Sequence, residues 1–191
     1  MKKKISQIIA YSVLGLVVVG LILCSIIKIN FIPEMKVPVT TDIGKIQITT
    51  SSGTSAVDSS NENINMNKFS ETFSNSFKLT ILYSVFSGKI GNEVQIKKQT
   101  TSPTFSGYKV QFIYQESQTL KKGGKPVTVA DNSNTEVTYN RAVFDVKEGK
   151  GLTDVNIYFY TNGESNYYQL TTIANFDELY TFIKALPMFG E

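Results

Sequence analysis

From Ile5 to Ile27 the chain reads ISQIIAYSVLGLVVVGLILCSII, 23 residues without a charge, directly behind Met1-Lys2-Lys3-Lys4. At about 1.5 Å per residue this run makes a helix of roughly 35 Å, enough to cross a hydrocarbon core of about 30 Å with some tilt. Ile5, Leu14, Val18, Leu21 and Ile27 sample the apolar surface of this expected membrane anchor. It exceeds the apolar core of a secretory signal, and no small-x-small cleavage pattern follows it. Cys24 stands behind Leu23 rather than a small residue, which argues against a lipidated cysteine. Pro33 and Pro38 resist continuation of the helix, so the anchor segment is expected to span residues 1–30.

Residues 31–67 read as a linker. Lys45-Ile46-Gln47-Ile48 alternates weakly and suits a short strand, but 13 of the 19 residues from Thr49 to Asn67 are Ser, Thr, Asn or Gly. Such a composition buries too little apolar surface to offset its ordering entropy. The folded domain is expected over 68–191. It opens with Phe69, Phe73, Phe77, Ile81 and Val85 at a spacing of four, which predicts a helix over 68–87 with Asn67 as cap and Gly88 as stop.

Period-two alternation then takes over. Val94 and Ile96, then Tyr108, Val110, Phe112 and Tyr114, alternate with polar neighbours as half-buried strands do. Val127 and Val129 mark a short strand, and Glu136 to Val146 another. Val137 and Tyr139 differ in parity from Ala142, Phe144 and Val146, which places a bulge near Asn140-Arg141. Asn162-Gly163 predicts a two-residue hairpin turn that pairs Tyr158 with Tyr167 and Val155 with Leu170. One face of that hairpin carries Val155, Ile157, Phe159, Tyr168 and Leu170. The other carries Tyr158, Tyr160 and Tyr167 beside Gln169 and Thr171, an uncharged aromatic surface. Asn175 with Glu178 three residues on suggests a capping box, and Leu179, Tyr180, Ile183 and Leu186 line a last helix before Pro187. The expected class is α+β: an antiparallel sheet of five or six strands flanked by an N-terminal and a C-terminal helix over one face.

Charge sharpens this picture. Three of the 19 basic residues precede the apolar run, so beyond it 16 basic side chains face 16 acidic ones. Lysines crowd the amino end without an acid, whereas Lys28, Lys36 and Lys45 are mixed with Glu34 and Asp42. Retention of positive charge inside predicts a cytoplasmic amino terminus and an extracytoplasmic body. A balanced body with one arginine, Arg141, is a poor nucleic-acid binder. The chain has no histidine and its one cysteine lies in the anchor, which excludes histidine- and thiol-dependent catalysis, a disulfide and a Cys/His zinc site from the body.

No catalytic, cofactor-binding or metal-binding residues are assigned. Lys121-Lys122-Gly123-Gly124-Lys125 lacks the phosphate-loop pattern and reads as an exposed hairpin. Asp131-x-Ser133-x-Thr135 departs from a calcium loop at its sixth and twelfth positions. Ser106 and Lys109 have acyl-enzyme spacing, but a strand would point them apart. Asp145, Glu148 and Asp154 read as turn charges. Tyr158, Tyr160 and Tyr167 remain as a candidate interaction face. The expectation is a single-pass membrane protein of a bacterial envelope, non-enzymatic, whose body binds another envelope protein or polymer and whose residues 5–27 meet the bilayer. Two alternatives stand beside it: a small-ligand or lipid-binding domain with a pocket near Phe73, Phe77, Phe112 and Phe144, and an enzyme using only carboxylate, lysine or serine groups.

Overall fold

A computed structural model describes residues 2–30, 34–38, 42–51, 56–58, 64–80, 96–129, 135–149, 151–161 and 167–189. The chain divides into two compact units, one of residues 1–30 with 78–92 and one of 31–77 with 93–191.

The first unit holds α1 (Lys2–Ile26), a helix long and apolar enough to cross a membrane. As a helix it pairs its interior backbone groups along its own length, as a lipid-facing segment must, and the Ser25 hydroxyl donates to the Ile22 carbonyl at 2.7 Å. Its large side chains lie bare: Leu14 is 59% and Leu21 50% exposed. Strand β1 (Lys28–Asn30) follows and pairs antiparallel with β4 (Lys78–Thr80), Ile29 opposite Leu79. The chain thus rejoins its anchor unit after the first helix of the body, an excursion that the continuous 68–191 domain did not foresee.

The second unit is the α+β body. Its sheet combines β2 (Gly44–Thr49), β3 (Ala56–Asp58), β5 (Ile96–Gln99), β6 (Tyr108–Thr119), β9 (Thr138–Val146), β10 (Thr153–Tyr160) and β11 (Tyr167–Ala174) in the order β3-β2-β6-β9-β10-β11-β5, antiparallel throughout. Two helices, α2 (Met66–Ser76) and α3 (Asp177–Lys184), cover one face. Their aromatic residues meet the sheet and each other: Phe73 lies 4.8 Å from Phe112 and 4.9 Å from Phe144, Phe69 lies 6.0 Å from Phe182, and Phe77 lies 5.5 Å from Phe176.

Helix α2 keeps the predicted stripe but not the predicted length. Asn65, rather than Asn67, caps it by accepting from the Lys68 amide at 3.0 Å. The run Ser74-Asn75-Ser76 ends it, with side chains that compete for backbone groups. The Ser76 hydroxyl donates to the Thr72 carbonyl, and the Ser76 carbonyl accepts from the Asn175 amide at 2.8 Å. Ile81, Leu82, Val85, Phe86 and Gly88 lie outside the described residues. That same Asn175 amide is unavailable to Glu178, so the reciprocal capping box does not form. Asn175 instead accepts from the Asp177 amide at 3.0 Å, and α3 starts one residue later than expected, with Phe176 in the cap position.

The supposed linker supplies two strands. Ile46 and Ile48 alternate with Lys45 and Gln47 and are buried at 1% and 0% exposure, so β2 fills a place on β6 from Tyr114 to Lys109. Gly44 begins it at φ +152°, where a side chain would run into the Ile113 carbonyl. The Tyr114 hydroxyl donates to the Lys36 carbonyl at 2.6 Å and ties down residues 34–38, and Ile64 is buried in the core as well. The body therefore begins in residues 31–67, not after them. The irregularity expected near Asn140-Arg141 is present: pairing shifts between Ile113 opposite Arg141 and Gln118 opposite Tyr139, which lets Tyr139 and Ala142 both face the core.

Candidate binding face

The face of the sheet away from the helices is built by period two. Pairing aligns Lys45, Ile113, Arg141, Tyr160, Tyr167 and Gln99 in one rung across six strands. The next rung is Gln47, Gln111, Val143, Tyr158, Gln169 and Lys97, and Lys109 stands opposite Asp145 in the one beyond. The hairpin register differs from the predicted one by two residues, Tyr160 rather than Tyr158 facing Tyr167. The Thr161 hydroxyl donates to the Thr138 carbonyl at 2.9 Å, which draws Thr161 toward β9. Asn162 and Gly163 lie outside the described residues. A shift of two leaves every side chain on its assigned face, so the predicted partition survives the wrong register.

The three tyrosines do come together. Tyr158 and Tyr167 meet edge to face at 5.5 Å, and Tyr160 lies 5.2 Å from Tyr167. They are not left open. Phe105 sits 5.6 Å from Tyr158, and with Val143 these rings form a second small core in which Tyr158 is 8% and Tyr167 5% exposed. The strap that carries Phe105 is pinned at both ends. The Tyr167 hydroxyl donates to the Thr101 carbonyl at 2.6 Å, and the Asp145 carboxylate accepts from the Gly107 amide at 2.9 Å and the Ser106 amide at 3.3 Å. Asp145 also pairs with Lys147 at 3.1 Å, so this carboxylate organises a loop. Of the candidate interaction face, Tyr160 alone stays half-exposed.

Beside the strap lie groups that the sequence did not single out as a site. The Arg141 guanidinium stacks 4.3 Å above the Tyr160 ring, and the Lys109 ammonium sits 5.1 Å above Phe105. Gln111, 7% exposed, donates to Gln47 between them. Burial, and the nearby Arg141 charge, lower the Lys109 pKa from its usual value. The cue was present in the alternation at Lys109 and Gln111, but only strand order shows which polar residues share a face.

Among the described residues, the helix-covered face holds no comparable site. Phe73, Phe77, Phe112 and Phe144 meet ring to ring, with Phe73 5.2 Å from Phe77 and Phe112 5.0 Å from Phe144, and fill the place where a pocket would lie. Among the described residues no group of three acidic, histidine or cysteine side chains could hold a metal. Lys121 to Lys125 forms the expected exposed hairpin. Its strands are β7 (Lys121–Lys122) and β8 (Lys125–Pro126), and Gly123 and Gly124 supply the positive φ angles. The Gly124 amide donates to Glu34 at 2.9 Å. Residues 131–134 lie outside the described set. No family model, no curated protein and no solved structure matches the chain.

Buried tyrosines make the body sensitive to alkali. Burial pushes Tyr139 up to about 12, partly offset by its hydrogen bond to Tyr114. Burial also pushes Tyr160 up to about 12, against the opposing Arg141 charge. A folded pKa above the unfolded value of about 10 means that stability is unaffected below pH 10 and falls as pH rises from there through 12. Denaturant midpoints measured at pH 8, 10 and 11.5 are expected to be level over the first interval and to drop over the second. A level profile to pH 11.5 would contradict the burial of these phenols.

Proposed function

We propose that the chain is a single-pass bacterial membrane protein, with its amino terminus in the cytoplasm and its α+β body outside, where the body binds another envelope protein or polymer rather than catalysing a reaction. The observation that carries this reading is α1, charge-free from Ile5 to its end and with large apolar side chains exposed on all sides, whereas the core of the body is complete without it. Water would oppose exposing that much apolar surface, whereas lipid removes the cost. The lysine tip supports the orientation. The absence of histidine and of cysteine from the body, the filled aromatic core and the structural employment of Asp145 leave binding as the chemistry best suited to its surface.

The partly open aromatic face narrows where binding occurs. Affinity capture of the intact protein from its own membranes, compared between wild type and Tyr160→Ser, is expected to lose partners without loss of fold. Tyr158→Ser, by contrast, removes a buried ring and is expected to destabilise the body by about 2 to 4 kcal/mol. If Tyr160→Ser retains every partner, the face is not the docking surface. If protease added to intact cells leaves the body uncut while cutting it after lysis, the orientation is reversed.

A further inference from the structure

We infer that the trough over β2, β6 and β9, beside the Phe105 strap, seats an extended phosphodiester polymer held by Lys45, Lys109 and Arg141, with Lys97 receiving its continuation at the far edge. This rests on reading the body as a binding module and supplies its ligand class.

The first support is a charge asymmetry that composition hides. Beyond the anchor the chain is balanced, and Asp58 on β3 and Asp154 on β10 share this face, yet on β2, β6 and β9 it carries Lys45, Lys109 and Arg141 against one acid, Asp145, whose carboxylate is committed to the Ser106 and Gly107 amides and to Lys147. No described carboxylate pairs with Lys45, Lys97, Lys109 or Arg141. Lys45 and Lys97 are exposed, while Lys109 and Arg141 are half-buried and held above aromatic rings. Such stacking fixes the cationic heads and leaves their donors for a ligand.

Spacing favours a polymer over a single small anion. Lys45 and Arg141 share a rung two strands apart, about 10 Å between their backbones, and Lys109 lies on the strand between them, four residues along from Ile113. One phosphate cannot satisfy three cations so placed, but successive charges along a chain can. The side-chain types favour phosphate over carboxylate. A single arginine offers one planar fork, and lysines act as point charges that meet a phosphate from any direction. The Gln47–Gln111 amides line the gap between the cations. A flat bilayer is the poorer occupant, because the strap from Thr101 to Ser106 covers the neighbouring tyrosines and stands beside the trough.

The test uses the full chain in uncharged detergent micelles, with poly(glycerol phosphate) as probe. Binding is expected, with an affinity that falls as salt rises. The double variant Lys109→Gln/Arg141→Gln is expected to weaken it about tenfold or more and to reduce the salt slope by about two. Lys121→Gln/Lys122→Gln on the exposed hairpin is expected to leave it unchanged. Should the first pair fail to fold, Lys45→Gln/Lys97→Gln, both exposed, reads the same loss. The inference is overturned if wild type does not bind, if the hairpin pair weakens binding as much, if poly-glutamate of equal charge binds as tightly, or if phosphatidylglycerol doped into the micelles blocks the probe. Partner capture that survives Lys109→Gln/Arg141→Gln keeps the binding-module reading while sinking this site. Probe binding without any captured partner does the reverse.

Discussion

Phe73→Ala is expected to cost the body about 3 to 5 kcal/mol and to lower its thermal midpoint by more than about 10 °C. Phe73 touches Phe69, Phe77, Phe112 and Phe144, at 6.3, 5.2, 4.8 and 4.9 Å between ring centres, so it joins α2 to two central strands at once. Its removal forfeits the transfer free energy of the ring and leaves a cavity whose walls belong to different elements. Those walls cannot close together without moving α2 off the sheet. A body of this size has roughly 5 to 15 kcal/mol in total, so the loss is a large fraction of it. Phe182→Ala is the control. That ring is half-buried on α3 and meets Phe69 at 6.0 Å near the helix surface, so about 1 kcal/mol is expected. Unfolding of the full chain in micelles, followed by near-ultraviolet circular dichroism, measures both. Equal losses would mean that Phe73 is not the hub of the core.

The residues that made Phe73 legible in sequence are those that repeat at one period over a long stretch. Phe69, Phe73 and Phe77 lie on one line of a helix wherever the helix ends, and Val110, Phe112 and Phe144 alternate whichever strands they join. Facing therefore survived two errors of length and register. Spacing alone carries the helix past Ser76, because Ile81 and Val85 continue it, and local periodicity contains nothing about a competing strand about 50 residues earlier. Lys78–Thr80 pairs with Lys28–Asn30, a long-range choice. β2 is hard to read from sequence for a related reason. Two isoleucines in a polar neighbourhood cannot form a strand alone, but an edge of β6 already in place supplies half of the hydrogen bonds.

The candidate site shows the same division more sharply. Its tyrosines were found because all three lie on two strands joined in a hairpin, whose parity sequence can follow. Their burial was not, because Phe105 reaches them from a strap that has no period. Lys45, Lys109 and Arg141 share a face only through the order β2-β6-β9, which places Lys45 and Arg141 on one rung although 95 intervening residues separate them in the chain. Net charge gave no warning, since it says nothing about which strands the cations share. A balanced composition is therefore compatible with a local cluster of cations, here Lys45, Lys109 and Arg141 on three adjacent strands.

Arginines at both Leu14 and Val18 are expected to release the chain from the membrane fraction, whereas Val18→Arg alone is expected to leave it there. The run from Ile5 to Ile27 contains 14 leucines, isoleucines and valines, each worth about −0.3 to −0.6 kcal/mol for insertion near the helix centre, or about −4 to −8 kcal/mol together. An arginine at the centre costs about 3 kcal/mol, and less where its long side chain reaches the interface. One charge thus leaves insertion favourable, and two, with the loss of the apolar residues they replace, cancel it over most of that range. Leu14 and Val18 lie one turn apart, so the two charges share a face and cannot both reach opposite interfaces. Both side chains are exposed on α1, so neither change disturbs packing within the helix. Carbonate-washed membranes probed for the full chain distinguish the cases. A double variant that stays in the membrane would show that something other than this helix holds the protein there.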